Sequence, residues 1–288
     1  MNIEDDVERL DELNEDIIRN SLKTRIIGRD IYYFNSMDST NDFAKKIAAE
    51  GCREGALVVA DTQTSGRGRM GRSWSSAYKK GIYMSIVLKP LIEPADMQII
   101  TLGASVAVVE GIKRATGIRT GIKWPNDIIL NDKKVCGILT EMSSQWKEDK
   151  YKINYVVIGI GINVNQDVED FNEVSLDDAI SLKLYGNLMR MHDIRLKRSN
   201  IIGNVLLELE KIYFAIINRE TDDIINKWKE YSVILGKKIK VISGSDEYTA
   251  TAEDITWDGK LVIRCADGTT REIVSGEVSI RGLNGYMI

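Results

Sequence analysis

"QTSGRGRMGRSW", residues 63–74, decides how this chain is to be read. Its centre, Gly66 to Gly71, matches G-x-G-x-x-G, the dinucleotide fingerprint, and Arg72-Ser73 stands where a P-loop has Lys-Ser/Thr. It also looks like an arginine–glycine box. The phosphate-binding motifs need a strand, a glycine turn and then a helix whose N-terminus holds the phosphate. The strand is present as "GALVVADTQ". The helix is not: "RSWSSAYKKG" has no helical apolar stripe before the next strand, "GIYMSIVLKP". No convincing acidic ribose-binding residue follows about 20 residues on. Arginine–glycine boxes are repetitive and disordered, whereas this is one copy between two strands. A chance basic loop explains the glycines poorly, since they add backbone freedom that opposes folding. Arg67, Arg69 and Arg72 also repel one another unless an anion joins them. The stretch therefore reads as a glycine-hinged basic flap, loose when empty and ordered over an anionic ligand.

Working outward, "DSTNDFAKKIAAEG" reads as a helix that Ser39 or Thr40 can cap and Gly51 can end. "DMQIITLGASVAVVEGIKRATG" reads as a helix buried on most sides, and residues 199–218 have helical apolar spacing. "IIL", "VCGILTEM" and "YVVIGIGINV" suggest an antiparallel meander with turns at "NDKK" and "SSQWKEDK". The short strands after about residue 235, with "WDG" and "ADG" turns, suggest a small β-barrel. The fold class is thus α+β: a mixed or antiparallel sheet with helices on one face, plus a small C-terminal barrel. The expected divisions are 1–30, a short acidic helical segment; 31–234, the main domain; and 235–288, the barrel.

Composition narrows the chemistry. With 43% hydrophobic and 28% charged residues, the 288-residue chain can bury a real core. A net charge of −4 argues against a general nucleic-acid surface. No apolar run reaches the roughly 18 residues of a membrane span, and the acidic start lacks a signal core, so a cytoplasmic protein is expected. Cys52, Cys136 and Cys265 form no C-x-x-C, which disfavours a disulfide framework or a thiolate zinc site. His192 is the sole histidine. It reads as a surface or linker residue, and its isolation excludes multi-histidine metal sites.

The remaining motifs are cationic or small. "KWPND", residues 123–127, offers Lys123, Asn126 and Asp127 beside a turn fixed by Pro125. "KKVCGIL" sets Lys134 at the entry of a strand and Gly137 inside it. "GIGIN" sets Gly159 and Gly161 inside another. Glycines inside neighbouring strands mark a bulge or a close approach to the backbone, and here suggest a cleft over the sheet. "DSTN" adds hydroxyls and an amide at a helix start, although a plain cap would explain it equally well. Arg67, Arg69, Arg72, Lys123 and Lys134 together suit stabilising phosphate charge during nucleotidyl transfer.

Taken in order, "DSTN", "QTSGRGRMGRSW", "KWPND", "KKVCGILTEM" and "GIGINVN" resemble the biotin protein ligases over about residues 20–285. The resemblance implies a class II synthetase-like catalytic domain followed by an SH3-like barrel. It also implies a two-step reaction: biotin's carboxylate attacks the α-phosphate of MgATP, and a lysine of a biotin carboxyl carrier protein then attacks the biotinyl-5′-AMP. By family pattern, Arg69, Lys134 and Lys123 would be catalytic. Ser39, Thr40, Asn41, Gln63, Arg67, Gly68, Arg69, Trp74, Lys134 and Gly137 would contact biotin or its adenylate. Arg72, Asn126, Asp127 and Asn163 would lie toward ATP, with Asp127 a candidate magnesium ligand. "FNEVSLDDAISL" resembles the family's adenine-side loop. Some members carry an N-terminal DNA-binding domain. Here the segment before Ser39 is short and acidic, so the expectation is a ligase that binds no DNA and no membrane, with a homodimer possible. The alternatives are a lipoate or octanoate ligase, a biotin or adenylate binder without turnover, and a nucleic-acid-binding module.

Overall fold

Seven strands form the first sheet of the computed structural model, which describes residues 11–147, 150–171, 178–191, 196–243, 246–274 and 279–281. The order along the chain is α1 (Glu15–Ser21), β1 (Ile31–Phe34), α2 (Thr40–Ala49), β2 (Leu57–Ala60), β3 (Gly81–Leu88) and α3 (Met97–Thr116). It continues with β4 (Gly121–Lys123), β5 (Asp127–Leu130), β6 (Lys133–Lys147), β7 (Lys150–Asn163), α4 (Leu182–Leu188), α5 (Arg198–Ile217) and α6 (Asp222–Tyr231). Strands β8 (Lys238–Ser243), β9 (Asp246–Ile255), β10 (Leu261–Cys265), β11 (Thr270–Ile273) and β12 (Ser279–Arg281) complete it.

The first sheet runs β1-β2-β3-β7-β6-β5-β4. β1 pairs with β2 in parallel and every other pairing is antiparallel, so the sheet is mixed. The second is a five-stranded antiparallel sheet, β11-β10-β9-β8-β12, where the small barrel was expected. The two units share one core cluster. The side chains of Gln98 and Trp124 donate to the Gly259 carbonyl of the second unit at 2.6 and 3.2 Å.

Alternation along the strands decides which face does what. In β3, Ile82, Met84, Ile86 and Leu88 join the large core with α3 and α5, and so do Ile158, Ile160 and Ile162 of β7. The intervening positions point to the opposite face. There Val58, Val87 and Val157 pack with Ala44, Ile47 and Ala48 of α2. Helices α3, α5 and α6 thus cover one face as expected, while α2 sits on the other. On the same face of β7 as Val157 lie Gly159, beneath Asn41 of α2, and Gly161, and these two glycines floor the cleft described below.

Local chemistry explains the elements. Ser39 caps α2, its Oγ accepting from the Asp42 N–H at 3.3 Å. The "NDKK" turn is a two-residue hairpin with Asn131 and Asp132 at φ 50° and 59°, values that these residues tolerate better than most. The "SSQWKEDK" expectation is corrected: Ser143 to Lys147 continue β6 and pair with β7, with a bulge between Ser143 and Ser144. The polar composition there reflects a strand pair clear of the core rather than a long turn. Strands β1 and β4 and helix α4, all short, were not foreseen, nor was α6, although Thr221, Asp222 and Asp223 at its start and Lys229 in its last turn were available signals. Within residues 1–30 the helix α1 covers Glu15–Ser21 and residues 22–30 are non-helical; residues 1–10 and His192 lie outside the described residues.

Candidate active site

Cross-strand register lays the site out in rows. Tyr83, Gly161, Gly137, Asp127 and Lys123 are successive partners across β3, β7, β6, β5 and β4. The neighbouring row is Ser85, Gly159 and Leu139. The glycines lower the sheet surface by one side-chain layer. A cavity of about 120 Å³ lies above them, closed by the start of α2 and the flap. A Cβ on Gly161 would come within 2.6 Å of the Trp74 ring, and one on Gly137 within 2.8 Å. The indole lies against the glycine floor, and its buried Nε1 has no hydrogen-bond partner among the described residues.

The flap is an ordered hairpin here. The Trp74 N–H donates to Gly66 O at 2.8 Å and the Gly68 N–H to Arg72 O at 2.7 Å. Between them a 3₁₀ turn, Arg69–Gly71, places Met70 at φ 55° and Gly71 at φ 73°. No α-helix follows, which upholds the exclusion of the phosphate-loop folds. Arg69 Nη1 donates to Asn126 Oδ1 at 2.9 Å, joining the flap to the "KWPND" turn. Burial pulls the Arg69 guanidinium below its usual range, with the nearby Asp127 carboxylate opposing the shift. Arg67 instead reaches outward to Asp42 at 2.7 Å. Burial raises the Asp42 carboxyl, but Lys45 and Arg67 outweigh it and hold the group below the usual carboxylate value.

Lys134 reaches the cleft through a backbone irregularity. A register shift between Ile128 and Ile129 pairs Cys136 with Ile128 and Lys134 with Ile129. Val135 and Cys136 are both in the core. The extra residue turns Lys134 toward the cleft, a known use of a bulge beside a functional site. Its Nζ lies 2.6 Å from Asp127 Oδ1 and 5.4 Å from the centre of the Trp74 ring.

The α2 end is a hydrogen-bonded cradle. Gln63 Oε1 accepts from the Thr40 N–H at 2.8 Å and from Thr40 Oγ1 at 3.0 Å. Ser85 Oγ donates to Asn41 Oδ1 at 2.6 Å, while Asn41 Nδ2 donates to Glu141 Oε2 at 2.9 Å. Ser85 and Glu141 were missed. The available signal was a serine inside the otherwise apolar "GIYMSIVL", which a buried strand tolerates only with partners.

Ser39, Thr40, Asn41, Gln63, Arg67, Gly68, Arg69, Arg72, Trp74, Lys123, Asn126, Asp127, Lys134 and Gly137 all line the cleft, as do Gly159 and Gly161. Asn163 does not. It shares their strand face, but its Nδ2 donates to Ile180 O at 3.3 Å and its Oδ1 accepts from Gln166 at 3.2 Å. Residues 172–177 of the "FNEVSLDDAISL" segment lie outside the described residues. Among the described residues no group of three or more His, Cys, Asp or Glu could hold a metal. Magnesium commonly uses one or two carboxylates together with substrate phosphates, so Asp127 fits a metal carried on a nucleotide rather than a protein-enclosed site.

A cleft on a mixed sheet, lined by Arg67, Arg69, Arg72, Lys123 and Lys134 and covered by a glycine-rich flap, defines the class of site that suits anionic ligands. Residues 33–163 match the family model "Biotin/lipoate A/B protein ligase family", and residues 234–281 match "Biotin protein ligase C terminal domain". The chain is 38% identical over 268 residues to the bifunctional ligase/repressor BirA of Bacillus subtilis, covering 93% of this chain and 79% of that protein. It is 28% identical to the biotin–[acetyl-CoA-carboxylase] ligase of Mycobacterium tuberculosis, covering 93% and 97%. The Aquifex aeolicus biotin protein ligase, solved with biotin and ATP, superposes with a TM-score of 0.69 at 26% identity, covering 88% of this chain and 99% of that one. The chain belongs to the biotin protein ligase family.

Proposed function

We propose that this chain activates biotin with ATP to biotinyl-5′-AMP and transfers biotin to a lysine of a carrier protein. The observation that carries the reading is the convergence of Lys134, Lys123 and Arg69 on one face of a glycine-floored cleft. Two anions, a carboxylate and a triphosphate, must meet for adenylation, and fixed cations in a site of low water content lower that barrier. Thr40 and Gln63, hydrogen-bonded to each other, and Asn41, held by Ser85 and Glu141, would receive the polar head of biotin, while Trp74 and the glycine floor would take its apolar body. Lys134 would exchange its contact with Asp127 for the carboxylate and the attacked phosphate. Arg69 and Arg72 would cover the mixed anhydride and exclude water. Asp127, with Asn126 beside it, would hold magnesium bound to the nucleotide, and that ion would offset phosphate charge.

The relatives are biotin ligases, and the lipoate alternative is not favoured. Biotin-dependent exchange of labelled pyrophosphate into ATP tests the first step; no exchange with magnesium present overturns the reading. Transfer is tested by the mass of a biotin carboxyl carrier domain after incubation with biotin and MgATP. No DNA binding is ascribed to the chain, on its net charge of −4, and retention on duplex DNA at low salt would refute that. The expected homodimer is part of the same proposal and is checked by sedimentation. No helix among the described residues is long and apolar enough to cross a membrane.

A further inference from the structure

The flap has two roots, Asp61 just after β2 and Gly81 at the start of β3, and one side chain holds both. Arg198, the first residue of α5, is fully buried. Its Nη1 donates to Asp61 Oδ1 at 2.7 Å and to Gly81 O at 3.2 Å. Asp61 is equally buried, and Tyr33 Oη donates to its second oxygen at 2.8 Å. The rest of the guanidinium is held by Asp11: Nε donates to Asp11 Oδ2 at 2.9 Å and Nη2 to Asp11 O at 2.8 Å. Asp11 Oδ2 also accepts from Asn165 Nδ2 at 2.8 Å, and the Asn165 N–H donates to Lys80 O at 2.8 Å. The exit of β7 is therefore tied to the same knot.

A buried ion pair is a poor device for stability alone, because desolvation cancels much of the attraction and apolar residues of equal volume can serve as well. What a guanidinium adds is direction, since its planar donors fix the partners at set angles. Direction matters here. Gln63 stands two residues past Asp61, and the glycines leave the path of the flap to be set by how its ends are held. Arg198 itself does not line the cleft. We propose that Arg198 is a positioning residue: by gripping Asp61 and Gly81 together it sets where Gln63, Arg67 and Arg69 stand over the cleft, and so how long the adenylate is retained. The retention clause rests on the adenylate-forming function proposed above.

The test compares Arg198→Lys, Asp61→Asn and the milder Tyr33→Phe with Glu210→Gln as control. Glu210 lies on the same helix and is buried, but it binds the backbone of residues 25–27 instead of the flap. Three readouts are taken: melting temperature, trypsin cleavage after Arg67, Arg69 and Arg72 in the ligand-free protein, and adenylate release during a chase. Displacement of a catalytic loop from its working geometry can change rates by one to two orders of magnitude. The flap-root variants are expected to release adenylate roughly tenfold faster or more and to be cut sooner in the flap. The control is expected to melt lower without either change. The proposal is overturned if release and cleavage follow melting temperature across all variants, control included, or if both stay at parental values in Asp61→Asn. Should the two ion-pair variants fail to fold, Tyr33→Phe decides by the same criteria. If the parent makes no adenylate, the functional reading fails, while flap cleavage still decides the positioning role.

Discussion

Replacing Gly159 and Gly161 separately by alanine should separate stability from binding, although the residues are two apart on one strand face. A Cβ on Gly159 would lie 2.1 Å from Asn41 Oδ1 and 2.8 Å from its Cγ. Asn41 is buried and cannot swing aside, because Ser85 holds its oxygen at 2.6 Å and Glu141 its nitrogen at 2.9 Å. Overpacking of a tight site costs about 1–3 kcal/mol, and displacing the amide would add the loss of a neutral and a charge-assisted hydrogen bond. We therefore expect Gly159→Ala to cost about 2–3 kcal/mol, at or slightly above the upper part of that range. That energy should lower the melting temperature by several degrees, and because the displaced Asn41 amide belongs to the cradle, biotin binding should weaken as well. At Gly161 the obstructing atoms belong to the Trp74 ring on the flap, 2.6 Å away. The flap can yield without disturbing the core, so Gly161→Ala should melt within a degree or two of the parent. Its penalty should appear in binding, since the methyl group occupies the floor where the ligand lies. Thermal melting and biotin calorimetry on the three proteins check this. Equal melting and equal affinity for Gly159→Ala and the parent would refute the account of a rigid Asn41 cradle.

Further expectations concern other parts of the molecule. Glu210→Ala leaves the N–H groups of Arg25, Ile26 and Ile27 without the carboxylate that accepts all of them; a loss of about 2–4 kcal/mol in chemical denaturation is expected, with adenylation at 25 °C nearly unchanged. Arg69→Ala removes the bond to Asn126 that ties the flap down, so labelled adenylate should escape to solvent in a trapping assay, and parental retention would contradict the covering role. For Lys80, the Asp170 and Asp167 carboxylates outweigh burial and raise the ammonium above its usual value, while Lys183 and Lys80 outweigh burial and hold Asp167 below the usual 3.8. A depressed carboxylate contributes stability above its unfolded value and loses it as pH falls through the folded one. The stability gap between the parent and Lys80→Ala should hence be small at neutral pH, under about 1 kcal/mol for such exposed partners, and vanish in acid; denaturation at each pH reads it. A gap that widens in acid would contradict the pairing.

Much of the site was legible because its residues needed no distant partner to be recognised. Glycines in the middle of apolar strands and arginines crowded among the flap glycines each violate a local rule, and such violations concentrate at functional sites. Glu141 and Arg198 were not legible in this way, since each has its meaning only through partners more than forty residues away, and Ser85 offered only its place inside an apolar strand. Asn163 shows the converse: its place in the motif is as expected, while its amide bonds Gln166 and Ile180 and it does not line the cleft.

The sequence by itself determined the type of the longer strands and helices, the absence of a phosphate-loop helix after the flap, the cationic character of the chemistry and the family. Period-two alternation and unusual residues are local signals, and they survive without coordinates. Only the tertiary structure decided which sheet face holds the cleft, that a bulge turns Lys134 into it, and that one buried arginine joins both roots of the flap. Register between strands and the pairing of buried charges depend on contacts between segments remote in sequence, and these exist only once the chain has folded.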